Sequence, residues 1–306
     1  MTKVLIATVK PFAPEAVEGI RKVCLDAGYE VLLLEKYTDQ NELVKAVVDV
    51  DALIIRSDKV TREVIEAGNN LKIVVRAGAG YDNVDLAAAT EKNIVVMNTP
   101  GQNSDAVAEL AIGMMVFQAR NKFNGSSGTE LNGKTLGIHA FGNVGQRVAK
   151  IAKGFGMKVF AFDPFIADDK IEDHGVKALQ SVEELYASCQ YISVHIPANK
   201  ETSKSLGYKL LSGMPQGATL VNTARKEVID EDGLMEMFKN REDFSYLSDI
   251  APDCATDIMQ KYESRAFFTP KKMGAQTAEA NINAGIAAAI QIKNFIEKGD
   301  TTFQVN

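Results

Sequence analysis

A chain of 306 residues is long enough for two domains of ordinary size, and its 46% hydrophobic content can fill two substantial cores. A net charge of −6 denies it the basic surface that nucleic acid or an anionic membrane would need, so an anionic ligand has to meet a local positive pocket. The three cysteines, Cys24, Cys189 and Cys254, are odd in number and scattered, which excludes a disulfide framework and zinc-ligand spacing and suits a reducing compartment.

The N-terminus enters directly into a strand over Lys3–Thr8 with no signal-peptide pattern. No apolar run approaches the roughly 18 residues of a spanning helix, so a cytosolic protein is expected, with no membrane, nucleic-acid or metal partner. Over residues 1–97, short β-branched runs predict strands at Val4–Thr8, Val31–Leu34, Ala52–Ile55, Ile73–Val75 and Ile94–Met97. Helical patterns between them predict helices at Pro14–Ala27, Gln40–Val48, Thr61–Ala67 and Val84–Thr90. Strict alternation implies a parallel sheet with right-handed crossovers. Ser104–Arg120 reads as a long apolar helix leading out of this unit, followed by a loop over Asn121–Asn132.

The next stretch carries chemistry. Thr135–Ala140 is a short apolar strand, Phe141-Gly142-Asn143-Val144-Gly145 turns the chain, and Gln146–Phe155 repeats apolar residues at helical spacing. Lys158–Phe162 returns as a strand and ends on Asp163. Such a turn lets backbone N–H groups and a helix N-terminus face a pyrophosphate. An acidic residue about 20 positions on can accept from both ribose hydroxyls, and Asp163 lies 18 residues past Gly145. The first glycine of the usual G-x-G-x-x-G is Ala140 here. The context predicts dinucleotide binding, and Asp163 favours NAD over NADP because a carboxylate repels a 2′-phosphate. Further strands are predicted at Tyr191–His195, Ala218–Asn222, Ser245–Ser248 and Ala266–Thr269, then a long helix over Thr277–Lys298 that packs back on the first unit. The fold class expected is α/β, two doubly wound parallel-sheet domains: residues 1–98 with 280–306, and residues 99–279, hinged near 97–103 and 275–283.

In doubly wound sheets ligands bind outside the carboxyl ends of the strands. Those positions hold Lys10, Arg56-Ser57, Arg76–Gly80 and Asn98–Asn103 in the first unit. In the second they hold Asp163, His195–Pro197, Thr223–Arg225, Asp249 and Lys271-Lys272. So many cations at strand ends suit a small, multiply charged anion, for which guanidinium offers forked donors.

These residues carry a resemblance to the D-2-hydroxyacid dehydrogenase family along nearly the whole chain. The matching stretches include Ile55–Ser57, Val75–Asp85, Val96–Gly101, Val107–Glu109, Gly156–Pro164, Val194–Pro197, Val221–Arg225 and Gly274–Thr277. Within the family the chain is most similar to short D-3-phosphoglycerate dehydrogenases lacking a C-terminal regulatory domain. The resemblance implies a flavodoxin-like substrate domain and a Rossmann NAD-binding domain with a cleft between them, NAD as cofactor, and a homodimer. It implies NAD contacts at Ala79, Asn103, Gly142, Asn143, Val144, Gly145, Asp163, Ile196, Pro197, Thr223, Ala224, Arg225, Asp249, Gly274 and Ala275. Arg225 matches the arginine that binds the substrate carboxylate and polarises the C2 oxygen. Gly78, Ala79 and Asn103 match the carboxylate pocket, while Arg56, Ser57 and Arg76 match positions serving a phosphorylated substrate. The activity implied is oxidation of D-3-phosphoglycerate to 3-phosphohydroxypyruvate, the first step of serine biosynthesis.

Two departures stand out. The family's catalytic His falls on Lys272 when counted back from Gly274-Ala275, or on Lys271 when counted forward from Thr269-Pro270; its Glu partner falls on Cys254. His195 and His139 do not replace it by position and read as packing or cofactor-shaping residues. The two losses compensate chemically. A lysine starts from a pKa near 10.4 and as a base must be moved down, so a carboxylate partner would act in the wrong direction. The resemblance to a subset of short phosphoglycerate dehydrogenases that carry lysine at this place favours Lys272 over Lys271 as the expected acid–base group. The alternatives are another D-2-hydroxyacid dehydrogenase of the glycerate or hydroxypyruvate type, or a catalytically silent NAD(H) sensor, which the missing His and Glu would suit.

Overall fold

A computed structural model describes all 306 residues, Met1–Asn306. The chain divides into two compact units, residues 1–103 with 276–306 and residues 104–275.

In the first unit five strands, β1 (Lys3–Thr8), β2 (Glu30–Glu35), β3 (Ala52–Ile55), β4 (Ile73–Arg76) and β5 (Val95–Asn98), pair in parallel in the order β2-β1-β3-β4-β5. This is the flavodoxin-like order, which reverses at β1/β3. Helices α1 (Pro14–Asp26), α2 (Gln40–Ala46), α3 (Arg62–Ala67) and α4 (Leu86–Glu91) make the crossovers. With helices on both faces, the central strands lose their polar alternation: all four residues of β3 are fully buried, and so are Val4, Ile6 and Ala7 of β1. Pro14 opens α1, where a missing N–H costs nothing, and Ala16, Ile20 and Cys24 form its buried stripe. Asp39 and Glu42 close a capping box on α2.

The C-terminal helix, Ala278–Lys298, belongs to this unit and packs against α1, β3 and β4. Thr277 caps its start by accepting from the Ala280 N–H, and Gly299 ends it in the left-handed region at φ 66°. Its approach to α1 depends on glycine: a Cβ on Gly285 would lie 3.0 Å from Ile20 and 3.2 Å from Phe12.

In the second unit seven strands, β6 (Thr135–His139), β7 (Lys158–Phe162), β8 (Lys177–Ala178), β9 (Tyr191–Val194), β10 (Thr219–Asn222), β11 (Ser245–Ser248) and β12 (Ala266–Phe268), run parallel in the order β12-β11-β10-β9-β6-β7-β8. The order reverses at β6/β9, the Rossmann arrangement extended by one strand. The helices are α5 (Ser104–Ala119), α6 (Asn143–Gly154), α7 (Asp168–Glu172), α8 (Val182–Ser188), α9 (Tyr208–Leu211), α10 (Glu231–Asn240) and α11 (Ala255–Tyr262). The apolar α5 packs on α6, burying Ala108, Ala111, Ile112 and Met115.

The structure corrects the expected elements in two places. The sheet gains β8, and α7 to α11 fill segments for which no helix was expected; a two-residue strand and several helices of one or two turns leave no readable period. Helix α6 starts at Asn143 rather than Gln146, so most of the glycine turn forms the first turn of the helix. No helix is long and apolar enough to cross a membrane.

Candidate active site

In the first unit the register of β3 with β4 pairs Ile55 with Arg76, so Arg56 and Arg76 leave neighbouring strand ends together. Arg76 Nε donates to the Arg56 carbonyl at 3.0 Å, and its guanidinium lies across Gly78, where any Cβ would collide with it. Gly78 sits at φ 147°, so both its conformation and the arginine over it require glycine. The Arg56 guanidinium is half-buried, with Cζ 5.1 Å from the Phe12 ring centroid. Burial holds its pKa below the ordinary value, against Asp58, yet a guanidinium stays cationic near neutrality. Beneath it the buried Asp58 accepts from the backbone N–H groups of Val9 at 2.6 Å and Arg56 at 3.2 Å, and from the Tyr37 hydroxyl at 3.0 Å. Ser57 and Lys10 are exposed beside it. The Ala79 carbonyl accepts from Asn98 Nδ2 at 2.6 Å, and Asn103 is half-buried at the end of the loop after β5.

The second unit presents the glycine turn. Ala140 adopts φ 78°, and the Phe141 N–H donates to Asp163 Oδ2 at 2.8 Å, tying the turn to the end of β7. The Phe165 N–H donates to the other Asp163 oxygen at 2.9 Å. Each carboxylate oxygen accepts one bond here and has a further acceptor site for a ribose hydroxyl. A Cβ at Gly145 would run into the Ala140 carbonyl oxygen, so this glycine lets helix and strand touch. Gly142 caps α6, and a Cβ there would meet nothing within 4 Å: its backbone is open. Asn143 is exposed and Val144 half-buried in the first turn of α6.

At the end of β10, Asn222 Oδ1 accepts from the Ala224 N–H at 2.9 Å while its Nδ2 donates to the Arg225 carbonyl at 2.8 Å. This Asx turn projects Arg225 into solvent, with its Nη1 donating to the Ala224 carbonyl at 2.9 Å. The Thr223 hydroxyl is buried without a protein partner. After β9, Ile196 is buried and Pro197 exposed.

The segment after β12 winds around one carboxylate. Asp249 is fully buried and accepts from the Met273 N–H at 2.7 Å and the Gly274 N–H at 2.8 Å. The Thr269 hydroxyl lies 2.7 Å from the Asp249 carbonyl. Expected at the cofactor, Asp249 here commits both oxygens to the loop that displays Lys271 and Lys272, both exposed; Gly274 is buried and Ala275 half-buried. Cys254, at the position counted for the family's Glu, donates its backbone N–H to Glu231 at 2.8 Å. Burial and then Glu231 push its thiol up to about 12, so it stays protonated and carries no charge toward the lysines.

His195 Nε2 lies 2.9 Å from the Ser193 hydroxyl and His139 Nδ1 lies 3.2 Å from the Tyr186 hydroxyl. Burial pushes His139 down to about 4, opposed by Asp163, and His195 down to about 3, with His139 adding to the effect. Both rings are neutral at neutral pH.

The structure thus gathers Arg56, Ser57, Arg76, Gly78 and Ala79 in one unit. In the other it forms three groupings at strand ends: the glycine turn with Asp163, the Thr223–Arg225 turn, and the lysine segment around Asp249. Sequence reasoning missed three organisers: Asp58, Asn222, and Asn281, whose Oδ1 accepts from Arg56 Nη2 at 2.5 Å. Only Asn222 carried a signal, an asparagine directly at a strand end. No group of three or more His, Cys, Asp or Glu could hold a metal. The open Gly142 backbone at a helix N-terminus, Asp163 at the second strand's tip and the partnerless Thr223 hydroxyl all fit a dinucleotide.

Sheet order and glycine turn together define a dinucleotide-binding unit. The family model described as "D-isomer specific 2-hydroxyacid dehydrogenase, NAD binding domain" matches residues 106–257. The chain is 37% identical over 275 residues to the hydroxypyruvate reductase of Thermotoga maritima, covering 84% of this chain and 88% of that protein. It is 37% identical over 272 residues to the D-3-phosphoglycerate dehydrogenase of Methanocaldococcus jannaschii, covering 84% of this chain and 52% of the relative. The NAD+-bound 3-phosphoglycerate dehydrogenase structure from Entamoeba histolytica superposes with a TM-score of 0.86 at 48% identity, covering 100% of this chain and 98% of that one. The chain spans about half the length of the curated phosphoglycerate dehydrogenases it matches, 52% and 57% of two of them. It belongs to the D-isomer specific 2-hydroxyacid dehydrogenase family.

Proposed function

We propose that this protein is a cytosolic, homodimeric NAD-dependent dehydrogenase that oxidises D-3-phosphoglycerate to 3-phosphohydroxypyruvate at the head of serine biosynthesis. The first unit would serve the substrate and the second the cofactor. The observation that carries the substrate choice is the pairing of Arg56 with Arg76 at adjacent strand ends of a chain whose net charge is −6. Two arginines leaving adjacent strand ends, one hydrogen-bonded to the other's backbone carbonyl, suit a phosphate dianion against that global charge.

In this reading Arg225 takes the substrate carboxylate and polarises the C2 oxygen, assisted by the Gly78–Ala79 backbone and Asn103. Arg56 and Arg76, with Ser57, take the phosphate. Gly142–Gly145 would hold the pyrophosphate of NAD and Asp163 its ribose hydroxyls, while Ile196, Pro197, Thr223, Ala224, Gly274 and Ala275 would line the rest, with Asp249 holding the Met273–Gly274 loop in place. Bound NAD+ supplies the acceptor for the hydride leaving C2. Lys272, as the neutral amine, receives the C2 hydroxyl proton and as ammonium returns it in the reverse direction. Arg225 repels a proton from that amine and so helps keep it a base. Acid–base help of this kind contributes roughly 10²–10⁴-fold.

A second reading, oxidation of unphosphorylated D-glycerate, draws support from the Thermotoga relative's name and from the number of Arg56 donors the protein itself occupies. Incubation of the purified protein with NAD+ and either acid, with the keto product trapped and reduced nicotinamide followed by absorbance, separates them. A kcat/KM higher for 3-phosphoglycerate is expected; equal or better use of D-glycerate would overturn the substrate assignment.

A further inference from the structure

We propose that Asn281, on the first turns of the C-terminal helix, is a positioning residue for Arg56, and that the pair sets the preference for a phosphorylated over an unphosphorylated 2-hydroxy acid. This rests on the reading of Arg56 as a phosphate ligand. The two residues are 225 apart in sequence, yet Arg56 Nη2 donates to Asn281 Oδ1 at 2.5 Å. Arg56 Nη1 donates to the carbonyls of Lys10 at 3.1 Å and Pro11 at 3.0 Å in the loop after β1. With one face on Phe12, the guanidinium is held by carbonyl, amide and ring together.

A donor count shows what this leaves. Arginine has five N–H groups. Two on Nη1 and one on Nη2 are taken, leaving Nε–H and the second Nη2–H. Two donors are what one phosphate edge receives from a guanidinium fork. The protein therefore fixes the arginine and keeps a fork available.

Asparagine suits this task better than an acid. Its Nδ2 donates to the Thr277 carbonyl at 2.7 Å, which turns its oxygen toward Arg56. A neutral oxygen holds the guanidinium without discharging it. A carboxylate there would form an ion pair and compete directly with an incoming phosphate. Pre-ordering also matters, because immobilising a free arginine on binding costs about 0.5–1.5 kcal/mol.

The test compares wild type with Asn281→Ala, Asn281→Gln, Asn281→Asp and Arg56→Ala by kcat/KM for 3-phosphoglycerate and for D-glycerate, with urea midpoints as a folding check. Asn281→Ala is expected to lower the ratio of the two kcat/KM values about 3- to 10-fold through KM for the phosphorylated acid, the scale of one unfrozen side chain. Asn281→Gln should recover part of the ratio. Asn281→Asp should lower it at least as far as alanine, and it carries the test should the alanine variant fail to fold. A ratio unchanged in Asn281→Ala and Asn281→Asp, or an equal fall for both acids, would overturn the inference. If Arg56→Ala loses the phosphate preference while both Asn281 variants keep it, only the role of Asn281 falls. If wild type shows no phosphate preference, the functional reading falls first.

Discussion

Ala140 stands where the turn's first glycine is usual and holds φ 78°, a conformation that costs an L-residue roughly 1–2 kcal/mol. Glycine there would remove that strain and raise unfolded-chain entropy by about 0.4–1 kcal/mol. Ala140→Gly should therefore be neutral to about 1 kcal/mol stabilising in a urea titration; a clear loss of stability would mean that the alanine methyl packs usefully. Asp249, after β11, shows how a residue's position can be legible while its contacts are not. A strand-end aspartate was visible in sequence, but its hold on the Met273 and Gly274 N–H groups comes from a loop 24 and 25 residues away. Arg56 and Asn281 differ in the same way. The arginine follows a readable strand, whereas nothing local to Asn281 announces a partner 225 residues off.

Among elements, the β6–α6 junction has little freedom. A Cβ at Gly145 points at backbone, the Ala140 carbonyl, and no rotamer can relieve that clash. Gly145→Ala should cost about 1–3 kcal/mol of stability by overpacking and weaken NAD binding as α6 tilts from β6. Calorimetric titration with NAD+ alongside urea unfolding checks both; wild-type values in each would contradict the packing account. Long strands and helices were legible here because a parallel sheet buried on both faces reads as near-continuous apolar runs, as in β1 and β3. The two-residue β8 and the four-residue α9 were not, since neither completes a period that sequence could display. The start of α6 was placed late because its first turn is built from the glycine motif itself, with Gly145 and Asn143 masking a helical pattern.

For the whole molecule, buried His139 and half-buried His195 of the second unit set an acid limit. Unfolded, each titrates near 6.5; folded, His139 waits until about 4 and His195 until about 3. Below pH 6.5 the unfolded chain takes up protons that the folded chain refuses, so stability falls as pH falls, by up to about 1.4 kcal/mol per pH unit for each ring. The loss levels off only below the folded values. Asp243, held below the usual carboxylate range by Arg241, adds a loss of the same sign that begins lower, beneath its ordinary 3.8. The urea midpoint should drop between pH 7 and 4.5, and His195→Gln should flatten the slope; a wild-type midpoint constant over that range would contradict the neutral-ring assignment.

The chemistry proposed for this scaffold depends on one amine. Lys271 and Lys272 are adjacent and both exposed on the loop around Asp249, so the decisive measurement is kcat for 3-phosphoglycerate oxidation in Lys271→Ala and Lys272→Ala side by side, with the NAD+ Kd determined for each. Lys272→Ala is predicted to lower kcat by about 10²–10⁴-fold with the NAD+ Kd held, the range expected for a lost acid–base group, while Lys271→Ala stays within a few-fold of wild type. Turnover at the wild-type rate in Lys272→Ala would contradict the mechanism outright.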